Sequence, residues 1–182
     1  MRQFLVIIIL GCVIISCNQP IKGPNGVTYK SASQYNDYIV NRQSTLMQYV
    51  LDFSKAAEID LDSAQKMLEK YTMEAALMIG EIKGMPVYKG DSSLRDAAVR
   101  SFNFYKNVFQ NDYSRIIYFR KKGAAMTDAE KSEMNTIDGR ITKDEEGLQK
   151  SLHKAQRNFA GKNNMKLIEN EMQKKIDKES GQ

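Results

Sequence analysis

From about Ser31 onward, apolar residues recur three and four positions apart in four successive stretches, and that spacing commits the chain to helices that must each bury one face. In the first stretch Tyr35, Ile39, Leu46, Val50, Phe53 and Ala57 share a face. The second opens near Asp60, an N-cap residue, and carries Ala64, Met67, Leu68, Tyr71, Ala75, Met78 and Ile82 before Gly84-Met85-Pro86 ends it. In the third, Ser93 is expected to cap, Asp96 sits in the first turn, and Leu94, Ala98, Phe102, Tyr105, Phe109, Ile116 and Phe119 mark the buried side. Arg120-Lys121-Lys122 and Gly123 close it, and Thr127 with Glu130 forms a capping box for the fourth. There the stripe is Met134, Ile137, Ile141, Leu148, Leu152, Ala155 and Phe159.

Four such helices on short turns bury their stripes most simply as an all-α, antiparallel up-down-up-down four-helix bundle. The expected domain covers 31–176, with a frayed tail over 177–182. The fourth pattern outruns the first, which spans roughly 28 residues or about 42 Å. It must therefore overhang or break, first at Gly161-Lys162-Asn163-Asn164 and otherwise at Asp138-Gly139. A length of 182 residues points to one core, and 27% charged residues with only three prolines suit a folded, water-facing protein. The formal charge of +5 is spread among acidic residues such as Asp144, Glu145 and Glu146, which is a solvated surface and not a nucleic-acid stripe.

The N-terminus carries a different signal. After Arg2, the run Phe4 to Ile15 is apolar over signal-peptide length but falls short of the roughly 18 to 20 residues of a spanning helix. It ends in Ile14-Ile15-Ser16-Cys17, which resembles the lipobox of bacterial lipoproteins: aliphatic residues, a small residue, then the obligatory cysteine. Ile14 stands where that family most often has leucine, and the rival Ile9-Leu10-Gly11-Cys12 leaves too short an apolar run before the cut. The resemblance implies removal of a signal peptide over 1–16 and a diacylglyceryl group on Cys17, the membrane partner of the mature chain. Several acyl chains on one cysteine anchor stably where one alone is marginal.

Asn18 to Gly26 holds two prolines and two glycines without periodicity, so 17–30 is expected to be a flexible tether. An aspartate directly after the cysteine resembles an inner-membrane retention signal in some lipoproteins. Asn18 stands there, which favours the outer membrane over the inner. The domain itself looks like uncharacterised helical surface lipoproteins of Gram-negative bacteria, a likeness of architecture that implies no activity.

Sites for chemistry are scarce. His153 is the one histidine and has Lys150, not a carboxylate, three residues before it, so the Glu-x-x-His pairs of a helical di-metal centre are missing. Too few His and Cys remain for haem or zinc, and the glycines form no phosphate loop. Asp112 and Asp144 to Glu146 are expected to be exposed or to pair with Arg42 or another cation in a polar layer. Tyr35, Tyr49, Tyr71 and Tyr105 lie on or beside the stripes and belong to the core. Val87, Tyr88 and Lys89, at the tip of a helix hairpin, form a candidate interaction loop. The expectation is a non-enzymatic binding or structural lipoprotein of the envelope, with no cofactor and a protein or glycan partner. The alternative is a carrier of a small apolar or amphiphilic ligand in the bundle core.

Overall fold

The structure, a computed structural model, describes residues 20–167. It is helical. A two-stranded hairpin, β1 (Ile21–Lys22) and β2 (Thr28–Tyr29), precedes α1 (Ala32–Ile59) and α2 (Leu61–Lys83). Then come α3 (Ser93–Asn107), a π-helical turn (Val108–Asp112), α4 (Tyr113–Lys122), a 3-10 turn (Gly123–Ala125) and α5 (Asp128–Lys162). Since α3, the π turn and α4 run on without interruption, they form the third of four long helical segments.

The local chemistry explains most of the boundaries. Ser31 caps α1 by accepting from the Gln34 amide. Asp60 closes α1 through its own amide to the Ala56 carbonyl and opens α2 by accepting from the Asp62 amide, so a single residue serves both helices. The Thr127–Glu130 capping box opens α5 as the sequence indicates, and α5 ends at Lys162, inside the favoured break. The cap of α3 differs: the helix starts at Ser93 itself, whose amide donates to Asp91 Oδ1 at 2.9 Å, while Ser92 Oγ donates to Asp96.

The buried stripes follow the periodicity up to the π turn. There the Tyr113 amide donates to the Val108 carbonyl, five residues back, so one extra residue enters the turn. Beyond it Ile117 occupies the core where Ile116 was expected, while Phe119 keeps its expected place.

The hairpin corrects the tether expected over 17–30. From Ile21 onward the chain is folded, with Ile21 paired to Tyr29 and Lys22 to Thr28. Gly23 and Gly84 allow this close approach, because a Cβ on Gly23 would lie 2.7 Å from the Gly84 carbonyl oxygen. The Asn25 amide donates to that same oxygen at 3.0 Å, and its side chain donates to the Tyr29 hydroxyl at 2.7 Å. Tyr29 is buried against Tyr35 and Tyr38, with ring centroids 5.2 and 5.5 Å apart. Residues 1–19 and 168–182, including the tail expected at 177–182, lie outside the described residues.

α1 packs against α2, α2 against α3 and α4, and α3 against α5. The N-terminal part of α5 is mostly exposed and is tied to α4 by two ion pairs, Arg115–Glu133 at 2.8 Å and Lys122–Glu130. The Lys122 ammonium first, and then the Thr127 amide, hold the Glu130 carboxyl down at about 2. A carboxylate with a depressed folded value contributes stability above its ordinary value and loses it as pH falls towards the folded one. Unfolding followed by circular dichroism should therefore show Glu130→Gln losing less stability than the native chain between about pH 4.5 and 2. Gly23→Ala should speed amide exchange at Asn25 and Val27 by about tenfold or more while leaving helix content unchanged, since only the hairpin contact is forced apart.

Candidate functional site

Cys17 lies outside the described residues. The loop Val87 to Lys89 is described, and only part of it faces outward. Val87 is 45% exposed and Lys89 is exposed, but Tyr88 is 3% exposed, with its ring 5.1 Å from Tyr35 and 5.3 Å from Phe159. The turn itself sets this arrangement. Lys89 and Gly90 both have positive φ, 49° and 80°, and the Asp91 amide donates to the Tyr88 carbonyl. That is the primed turn of a tight hairpin closed by the Tyr88–Asp91 bridge, and across it Val87 and Lys89 face outward while Tyr88 faces inward. Tyr88 is therefore a core residue, which corrects its place in the candidate loop.

Around this loop the hairpin, the start of α1, the end of α2, the start of α3 and the end of α5 come together as one end of the domain. Its acids are largely committed. Glu81 takes Arg42, whose guanidinium also lies 3.4 Å from the Tyr38 ring centroid, and Asp91 takes Lys162 at 2.6 Å. Asp96 takes the Ser92 hydroxyl and Arg95, and that hydroxyl first among causes holds its carboxyl below the ordinary range. Asp37 is left exposed with Ser33 and Asn36 beside it.

Lys22, Lys30, Lys83, Lys89 and Lys166 are exposed at this end and form no ion pair among the described residues. Lys83, Arg95, Val99 and Arg100 line an open surface depression with Asp96 as its one carboxylate. No local charge run announces this patch, because its members come from positions as far apart as 22 and 166.

A second polar cluster surrounds the π turn. Asp112 is buried, its Oδ1 accepts from Arg140 Nη2, and its Oδ2 has no hydrogen-bond partner among the described residues. The polar layer expected from the sequence is thus built with Arg140, while Arg42 is engaged elsewhere. Tyr105 donates to Glu145 Oε1 at 2.6 Å. Burial, and then the Glu145 charge, push the hydroxyls of Tyr105 and Tyr113 far above their ordinary range. Both rings thus stay protonated donors at neutral pH and are poor general bases. Among the described residues no three His, Cys, Asp or Glu converge as a metal ion requires, and His153 is half-buried beside the core.

The core is filled by rings: Tyr49 stacks on Tyr71 at 4.3 Å, Phe53 on Tyr113 at 4.3 Å, and Phe102 and Phe109 are fully buried. Outside it, Met73 and Leu77 are exposed on α2, and Leu77 borders a shallow groove with Asn41, Thr45 and Glu74. No helix among the described residues is long and apolar enough to cross a membrane. Comparison of the chain with protein-family models, with curated proteins and with solved structures finds no match in any of the three.

Arg140→Ala should lower the urea midpoint by the equivalent of about 1–3 kcal/mol, because Asp112 loses the donor that meets its buried carboxylate. Arg140→Leu combined with Asp112→Leu should recover most of that loss, since an apolar pair leaves nothing unsatisfied.

Proposed function

We propose that this chain is a bacterial envelope lipoprotein, held by lipid on Cys17, that works by binding or as a structural element and not by catalysis. The observation that carries the reading is the segment Ile14-Ile15-Ser16-Cys17 after an apolar run of signal length, followed within three residues by the start of the folded hairpin region at Pro20. Three residues reach at most about 10 Å even when fully extended. An anchor on Cys17 thus holds the hairpin end against the bilayer and turns the opposite end, with the Asp60 turn and Ile59 at 87% exposure, towards the envelope space. A protein or glycan partner is met from that outer end or along the sides. Asn18 after the cysteine favours the outer membrane.

The reading includes an up-down-up-down antiparallel arrangement of the four helical segments. Its support is the opposed order of side-chain pairs: Arg42 with Glu81 and Tyr49 with Tyr71 between α1 and α2, and Asp62 with Lys121 and Tyr71 with Phe109 between α2 and the third segment. Tyr105 with Glu145 and Arg115 with Glu133 give the same order between the third segment and α5.

A carrier of small apolar ligands has less in its favour, since stacked rings occupy the centre and the depressions beside Lys83 and beside Leu77 lie open on the surface. Mass spectrometry of the mature N-terminus, with membrane fractionation of the native chain and Cys17→Ala, tests the main reading. An acylated Cys17 at the N-terminus and release of the mutant from membranes are expected. Membrane retention of Cys17→Ala after a high-salt wash, at native level, overturns it.

A further inference from the structure

We propose that the hairpin end of the domain is a binding surface for anionic phospholipid headgroups, with Lys83 and Arg100 contacting phosphate and Val87 reaching the interface beside Lys89. The inference rests on the membrane-anchor reading for its location and on charge placement for its chemistry. Lys83, Arg95 and Arg100 meet in one open depression, and Arg95 is already matched to Asp96 at 3.1 Å, so Lys83 and Arg100 leave it positive. Glu81 and Asp91 are likewise neutralised by Arg42 and Lys162, while Lys22, Lys89 and Lys166 remain outward without carboxylate partners among the described residues.

The opposite end is arranged differently. There Lys121 meets Asp62, Lys122 meets Glu130, Arg115 meets Glu133 and Lys131 meets Asp128, and Lys66 acts on the Asp60 carboxylate, which leaves Arg120 exposed without an ion pair among the described residues. The hairpin end, with Asp37 as its exposed unpaired acid, therefore keeps more of its positive charge available than the other. A surface potential of the anionic leaflet extends over a Debye length, about 10 Å at 0.1 M salt. That is also about the longest reach of the three residue steps from Cys17 to Pro20, so an anchor there holds the hairpin end where the field acts. Val87, 45% exposed beside a cation, is the kind of side chain that enters the headgroup boundary.

The test uses the mature chain from residue 17 onward carrying Val87→Cys labelled with an environment-sensitive dye, in a Cys17→Ala background that confines the dye to position 87. It is mixed with phosphatidylcholine vesicles with and without phosphatidylglycerol. A blue shift with phosphatidylglycerol that fades with added salt is expected. Each cation removed should weaken the response about fivefold, so Lys83→Ala with Arg100→Ala should bind about 25-fold more weakly at unchanged helix content. A dye at Ile59→Cys in the same background should not respond. Equal response to both vesicles, or a response indifferent to Lys83 and Arg100, overturns the proposal. The anchor is read separately: protein with Cys17 intact stays on phosphatidylcholine vesicles through a salt wash if it is lipidated, whatever position 87 reports.

Discussion

The rest of the structure depends on the ring of Tyr35. It is fully buried and touches Tyr29 from the hairpin, Tyr88 from the loop after α2 and Phe159 from α5, while its hydroxyl donates to the Pro86 carbonyl at 2.9 Å. Each ring pair adds about 0.5–1.5 kcal/mol beyond area burial. Placed together at one end, these contacts gather four separate pieces of chain: the hairpin, α1, the loop after α2 and α5. Without that ring the hairpin would keep its backbone bond to Gly84 and the edge of Tyr38, and Tyr88 would keep Phe159, but nothing would join the two contacts.

Much of this was legible in the sequence because helices repeat their signal. Asp60, Gly123 and the Thr127–Glu130 box sit where capping chemistry puts them, and Leu68, Ala75 and Phe102 are buried as their spacing requires. The misses have physical reasons. A two-residue strand such as Ile21–Lys22 offers no period to detect, and its place is fixed by Gly84, far along the chain. The π turn leaves no mark in the composition, so the slip from Ile116 to Ile117 emerges only in three dimensions. Tyr88 reads as exposed beside Lys89 until the primed turn is known.

The candidate site was less legible than the fold. Val87 and Lys89 could be named from sequence and Asp112 only as exposed or paired with a cation, but the basic end could not, because proximity of Lys83 and Arg100 is a property of folded ends and not of neighbours. The same holds for Arg140, which reaches Asp112 across 28 positions. What the sequence does convey is a shortage of reactive groups, and the structure adds that its buried tyrosines hold their protons tightly.

The contact of Gln156 with Asn36, which lie 120 residues apart, has a consequence for the order of assembly. The single-residue joint at Asp60 lets α1 and α2 pair while the chain is short, because little loop entropy opposes it. The end around Tyr35 is closed only when Phe159 arrives on α5, so a chain emerging from its N-terminus completes the hairpin end last, although the hairpin is the first part of it to be made.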